Sequence, residues 1–356
     1  MARFTAGRLL MVTACLAAVI HAGARSIAPL PVEVVRHDEG RRADVTIGGR
    51  PFTSYVWPAA LAKPVLFPIL TARGTAVTRG YPLEPRPGER VDHPHHVGLW
   101  FNYGNVNGVD FWNHPGTLGP PRDGRLGTIA HREILEARGG SEAGTLVTTS
   151  DWRMPDGTVV LKQTTAHVFQ GTSEERTIDL HVTLTAQDAA VAFDDNKEGV
   201  LGLRVARALE EPLTKPERLT DAQGRPTETP VLDNTGVNGE YLTSEGVRGA
   251  AVWGTRAKWC RLAGTVAGEA VTIALMDHPA NPGFPTYWHA RGYGLFAANP
   301  LGQKELSGGK DVLRFSLPPS ASAAFHYRIV VASRLSTPAD LEAAWTRWAA
   351  SGPKRD

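Results

Sequence analysis

The chain has 356 residues, with 38 Lys+Arg against 36 Asp+Glu, 12 His, 9 Trp and 2 Cys. A formal charge of +2 leaves no basic excess with which to hold a nucleic acid by its phosphates, and two cysteines cannot build a disulfide scaffold or a thiolate zinc site. An apolar fraction of 42% excludes a disordered chain, and the length suits one large domain or two ordinary ones.

The amino terminus reads as an export signal. Arg3 and Arg8 precede the apolar run Leu9 to Ile20, and Ala22-Gly23-Ala24 forms a small-residue exit. Positive head, short apolar run and small exit are the parts of a secretory signal over 1–24. The run is too short to span a bilayer, which takes about 20 apolar residues. A competing reading takes Val12-Thr13-Ala14-Cys15 as a lipoprotein box with Cys15 acylated. Few apolar residues precede Cys15, so plain export to the periplasm or medium is the favoured expectation. Removal of 1–24 leaves 36 basic against 36 acidic residues and one cysteine. No integral membrane segment is expected after that removal.

From Arg25 onward strand signals dominate. Val45 to Ile47 and Phe52 to Val56 flank Gly48-Gly49, a hairpin signal. Leu146 to Trp152 and Thr158 to Phe169 flank the turn Pro155-Asp156-Gly157. Thr177 to Leu184 alternates apolar and polar residues, the period of a half-buried strand. Val200 to Val205, Gly249 to Trp253, Lys258 to Leu262, Ala270 to Leu275 and Ala324 to Ala332 are further predicted strands. A Pro- and Thr-rich stretch over 210–238 reads as a long excursion. One helix is expected over 337–350: Thr337 offers a cap, Pro338 the first turn, Asp340 an acid, and Leu341, Ala344, Trp345 and Trp348 one apolar face. The expected fold is all-β, an antiparallel β-sandwich with one C-terminal helix, in a single domain over 25–356.

Three clusters carry candidate chemistry. The first is Asp92-His93-Pro94-His95-His96 and the aromatic run after it, through Trp100, Asn102 and Trp112. In an extended chain His93 and His95 share a face and His96 takes the other. Imidazoles so placed can orient a hydroxyl, act as acid and base, or bind a metal. The second is Asp277-His278-Pro279 through Tyr287-Trp288-His289-Ala290-Arg291-Gly292-Tyr293-Gly294, a proline-stiffened loop bearing two histidines, an acid, an arginine and aromatics. Asp277-His278-Pro279 repeats the tripeptide Asp92-His93-Pro94. The third is Asp194 to Gly199, entering an apolar strand. Glu198 is its candidate acid or base, with Lys197 or Arg204 to tune it. His167 and His181 read as structural strand residues, and Cys260 as a buried thiol. Trp100, Trp112, Tyr287 and Trp288 beside these polar groups suit the apolar faces of a sugar ring.

The runs DHPHHVGLWFNYGNVNGVDFW, DNKEGVLGLRVARALE and MDHPANPGFPTYWHARGYGLFAANPLGQK resemble a bacterial family that carries the label "methane oxygenase PmoA". The resemblance extends over residues 32–333. It implies an exported protein tied to carbohydrate-degrading systems. It also implies a galactose-mutarotase-like supersandwich, and functional positions at His93, His95, His96, Glu198, His278 and His289. No mechanism comes with it, and methane chemistry is not carried over, because membrane-bound methane monooxygenases span the bilayer and this chain has no such segment.

The leading expectation is therefore a carbohydrate-active enzyme working by hydrolysis, elimination or epimerisation. His95, His96, Glu198, Asp277 and His289 are its expected catalytic residues. His93, Trp100, Asn102, His278, Tyr287, Trp288 and Arg291 are expected to bind a small-molecule or oligosaccharide substrate. Two readings compete: a non-catalytic sugar-binding protein, and a metal-dependent oxidoreductase holding a divalent metal through His93, His95 and His278.

Overall fold

The computed structural model describes Met1 and residues 28–113 and 126–352. Apart from Met1, the expected leader and Cys15 lie outside the described residues. Among the described residues no helix is long and apolar enough to cross a membrane.

Two eight-stranded sheets pack face to face. The first runs in the order Val32–His37, Arg42–Ile47, Arg50–Val56, Val65–Ile69, Leu99–Tyr103, Gly199–Arg204, Leu295–Asn299 and Tyr287–Ala290. The second runs Glu240–Thr243, Trp259–Val266, Glu269–Asp277, Ser322–Ala332, Glu175–Ala186, Val159–Gly171, Ala143–Arg153 and Thr128–Arg138. Neighbouring strands in both sheets pair antiparallel. The expected antiparallel sandwich is what forms. Both hairpins turn where glycine takes a positive φ, at Gly48, Gly49 and Gly157. Gly249 to Trp253, expected as a strand, instead makes a 3-10 turn over Gly249–Val252. Gly249 at φ 56° breaks the extended run.

The sheets differ in how their faces are used. Strands of the second sheet alternate, as in Glu175–Ala186, so one face is buried and the other is partly open. Four adjacent strands of the first sheet are buried on both faces. Register explains this. Phe101, Leu201, Ala298 and Trp288 align across those strands and enter the main core, where Phe101 meets Phe325 of the second sheet at 5.4 Å. The alternate row is Trp100, Gly202, Ala297 and His289, on the outer face. Loops over 79–97 and 104–113 cover that face and enclose a smaller cluster of Val97, Trp100, Trp112, Leu295 and Ala297. The candidate site lies under this cover.

The C-terminal helix, Pro338–Ala350, is capped as expected: Thr337 and Asp340 make reciprocal bonds. Leu341 and Trp348 bury against Trp259, Ala274, Met276 and Val330 of the second sheet. Between Leu209 and Glu240 no named strand or helix forms. This excursion folds back through bridges such as Arg90 to Leu219.

Candidate active site

The first histidine cluster is not extended. The chain turns at His93, whose φ is 42°, and His96 N–H donates to His93 O at 2.9 Å. A non-glycine residue in the left-handed region needs support from its surroundings. Here that support is Arg79, fully buried, whose guanidinium donates to the carbonyls of Arg90, Asp92, His93 and His96 and to Asp92 Oδ1. The turn reverses the expected sharing of faces. The His93 and His96 rings stack at 4.9 Å, 5° apart, while His95 stands nearly perpendicular to both.

Tyr293 lies parallel to both rings, 4.9 Å from His93 and 6.4 Å from His96, and Trp100 stacks on His96 at 5.2 Å. Gly202 makes room for the indole: a Cβ there would stand 2.4 Å from Trp100. Arg204 closes the column beneath Tyr293 at 5.1 Å.

Within this column His93 alone is chemically poised. Its Nδ1–H donates to Asp92 Oδ2 at 2.7 Å, which leaves Nε2 free, and its side chain is 43% exposed. Asp92 is in turn held by Arg204 at 2.7 Å and Arg79 at 2.9 Å. Burial opposes its charge, but Arg204, His93 and Arg79 together keep its carboxyl well below the usual range. Arg204 also faces buried Glu210, which receives Arg90 and Arg207 at 2.8 Å each. The result is an aspartate that stays ionised and fixes an outward-facing imidazole.

His95 and His96 serve differently. Burial pushes His95 down to about 2 and His96 well below its ordinary value, so both are neutral. His96 Nε2 accepts from Trp112 Nε1–H at 3.0 Å, and its buried Nδ1 has no partner among the described residues. Lys63, buried and lowered to about 7 by that burial, donates to His95 O at 2.8 Å. An apolar cavity of about 160 Å³ opens beside them, lined by Leu61, Lys63, Leu83, Pro94 and Val97.

Glu198 and His289 complete the face. Glu198 Oε2 lies 4.0 Å from His289 Nδ1. His289 Nδ1–H donates to Lys197 O at 2.9 Å, leaving Nε2 uncommitted, and burial lowers the ring to about 4. Burial raises the Glu198 carboxyl, Lys197 opposes this, and His93 and Asp110 lie within electrostatic reach. One face thus brings together His93, His95, His96, Glu198 and His289.

Other expected residues are not brought to this face as binding or catalytic groups. Asp277 and His278 belong to the second sheet side, because the stretch from Asp277 to Tyr287 crosses from one sheet to the other. Asp277 is fully buried, accepts from Asn281 and Thr286, and cannot meet a substrate. His278 packs edge-on to Trp348 at 5.1 Å. The metal set His93, His95 and His278 is therefore dispersed. Among the described residues no group of three or more His, Cys, Asp or Glu is arranged to hold a metal ion. Trp288 faces the core and donates to Ala257 O. Trp100 is 2% exposed, too covered to stack on a sugar. Asn102 spends both amide ends, on Trp100 and on Phe111 O. Tyr287 is committed to Asp311 and Arg256. Arg291 is exposed and lies against Trp253 and Tyr293 at the rim.

Sequence reasoning missed Arg79, Glu210, Lys63 and Tyr293. Lys63 and Arg79 lie outside the quoted runs, and Glu210 is only the last residue of DNKEGVLGLRVARALE, with nothing in the sequence to tie it to the histidines. Tyr293 stood in the second cluster, and its place beside Gly294 before an apolar strand was the available signal. Cys260 is buried and free, as expected.

A family described as "Family of unknown function (DUF6807)" matches residues 42–346. That description names no activity and contains no methane-oxygenase label. No curated protein matches the chain. Among solved structures the chain is similar to the galactosidase domain of an alpha-galactosidase-sucrose kinase, at 10% identity and TM-score 0.40, over 84% of this chain and 42% of that one. It thus spans about two fifths of that protein's length. It is also similar to a putative aldose 1-epimerase from Escherichia coli K12, at 14% identity and TM-score 0.29, over 84% and 98% of the two chains. A galactose 1-epimerase from Lactobacillus acidophilus NCFM aligns at 11% identity and TM-score 0.34, over 87% and 100%.

Proposed function

The chain belongs to the DUF6807 family of unknown function, and from that premise we propose that it is an exported enzyme acting on a carbohydrate by acid–base chemistry. The observation that carries the reading is the Asp92–His93 pair. Its free Nε2 is turned outward by a backbone held at φ 42°, on the same face as Glu198 and His289. A carboxyl with a raised pKa keeps its proton long enough to donate it, and an imidazole fixed through Nδ1 presents Nε2 to accept one. Glu198 would protonate a ring or glycosidic oxygen, and His93 would take the proton from the sugar or from water. His289, itself buried, would hold the Lys197 carbonyl beside Glu198, and the rim residues Arg291 and Trp253 would position hydroxyls and the ring. Hydrolysis, elimination and epimerisation all fit that division of labour.

The test is a screen of glycosides and free aldoses, read by reducing-end release, ultraviolet absorbance of an unsaturated product, and polarimetry. His93→Gln and Glu198→Gln should each lower turnover by about 100-fold or more, with an unchanged unfolding midpoint. Full activity in either variant would remove the assignment. Glycan binding without turnover in the wild type would leave a binding protein in its place.

A further inference from the structure

On the opposite side of the sandwich the second sheet leaves part of its outer face open. A groove of about 1190 Å³ lies there, walled by Thr164, Ala166, Thr183, Ala324, His181 and His326. His181 and His326 are directly opposed across antiparallel strands. Their Nδ1 atoms share a hydrogen bond at 2.8 Å, which a bound ion would replace. Two imidazole nitrogens bound at about 2.0–2.1 Å would stand about 2.9 Å apart at the right angle of a square-planar ion and about 3.3 Å apart at the tetrahedral angle. We propose that His181 and His326 form a binding site for a divalent transition metal of the Cu, Ni or Zn type, with water in the remaining positions.

The donor set and its surroundings agree with that chemistry. Imidazole nitrogen selects these ions over Mg and Ca, which take oxygen. The neighbouring carboxylate, Asp179, is already spent on Arg328 through two bonds of 2.6 Å. His278 lies 5.7 Å from the His326 ring, but its Nδ1 accepts from Ala280 N–H, so it stays outside the ligand pair. The groove gives the ion room for solvent ligands.

The second Asp-His-Pro loop then acquires a role. Asn281 accepts from His326 N–H at 2.6 Å and donates to His326 O at 2.8 Å. Asn281 is itself fixed by Asp277 at 2.7 Å. The loop thereby clamps both backbone groups of one proposed ligand, the support that metal-binding histidines need.

Calorimetric titration of the untagged full chain with CuCl₂, NiCl₂ or ZnCl₂ at neutral pH tests the site. The expected result is about one equivalent bound per chain, with affinity weakened at least about tenfold in His181→Ala and in His326→Ala. His326→Asn, which keeps a polar side chain, serves as the second variant if alanine disturbs folding. His93→Ala and His289→Ala, on the other sheet, should bind the metal as the wild type does. Absence of stoichiometric binding, binding that survives both His326 variants in folded protein, or binding lost in His93→Ala would each overturn the proposal. The outcome is independent of activity at the first face.

Discussion

Asp92-His93-Pro94 and Asp277-His278-Pro279 are the same tripeptide and do opposite things. At the first copy, Arg79 and Arg204 surround the aspartate, so it stays charged and orients a half-open histidine. At the second, no arginine among the described residues forms an ion pair with the aspartate, although Arg256 lies within electrostatic reach. Asp277 takes neutral donors from Asn281 and Thr286, and burial pushes its carboxyl up to about 7. His278 turns away under the C-terminal helix. Neighbours from distant strands, more than the local sequence, decide whether such a motif is chemical or structural.

The comparison can be broken at its arginines first. Arg204→Met should destabilise the fold by about 3 kcal/mol, because it strips a partner from Asp92 and Glu210 in a buried network. Urea unfolding measures this, and loss of activity should accompany it. Asn281→Ala attacks the second copy. It takes a donor from Asp277, strips His326 N–H of its acceptor and leaves His326 O only the longer bond from His278 N–H at 3.3 Å, and should cost about 2 kcal/mol with the first face unaffected. Thr337→Ala is gentler. It removes the cap of the helix whose Trp345 donates to Asp277 O at 2.9 Å, and should cost about 1 kcal/mol.

The smallest effect at any single pH separates the copies by sign. Asp92 has a depressed folded pKa, so its contribution is present above about pH 3.9, the unfolded value, and is lost as pH falls through the folded value. Asp277 has a raised one, so its contribution is full below about pH 3.9 and fades as pH rises through about 7. Stability measured from pH 3 to 8 should lose its acid-labile part in Asp92→Asn. In Asp277→Asn it should lose the part that declines towards neutral pH. Equal slopes in the two variants would show that the copies are equivalent after all.

Much of the fold was legible because strand period, turn glycines and the Thr337 cap are local properties. The hairpins at Gly48-Gly49 and Gly157 and the helix Pro338–Ala350 lie close to their expected positions. The candidate face was half legible. His93, His95, His96, Glu198 and His289 announced themselves by clustering, but their roles did not. His93 was read as a binder, yet it holds the free nitrogen; His95 and His96 were read as catalytic, yet burial holds them neutral.

By itself, then, the sequence determined the antiparallel sandwich, its helix, and the segments in which titratable groups gather. Those follow from periodicity and composition over a few residues. Only the tertiary structure decided which groups meet. The stretch from Asp277 to Tyr287 passes between sheets, so one apparent cluster is divided between two faces. Arg79 and Arg204 arrive from separate strands and loops to charge one aspartate. Register across the sheet places His289 in the same outward-facing row as Trp100 and sends Trp288 into the core. Electrostatics and burial act through space, and no spacing along the chain encodes them.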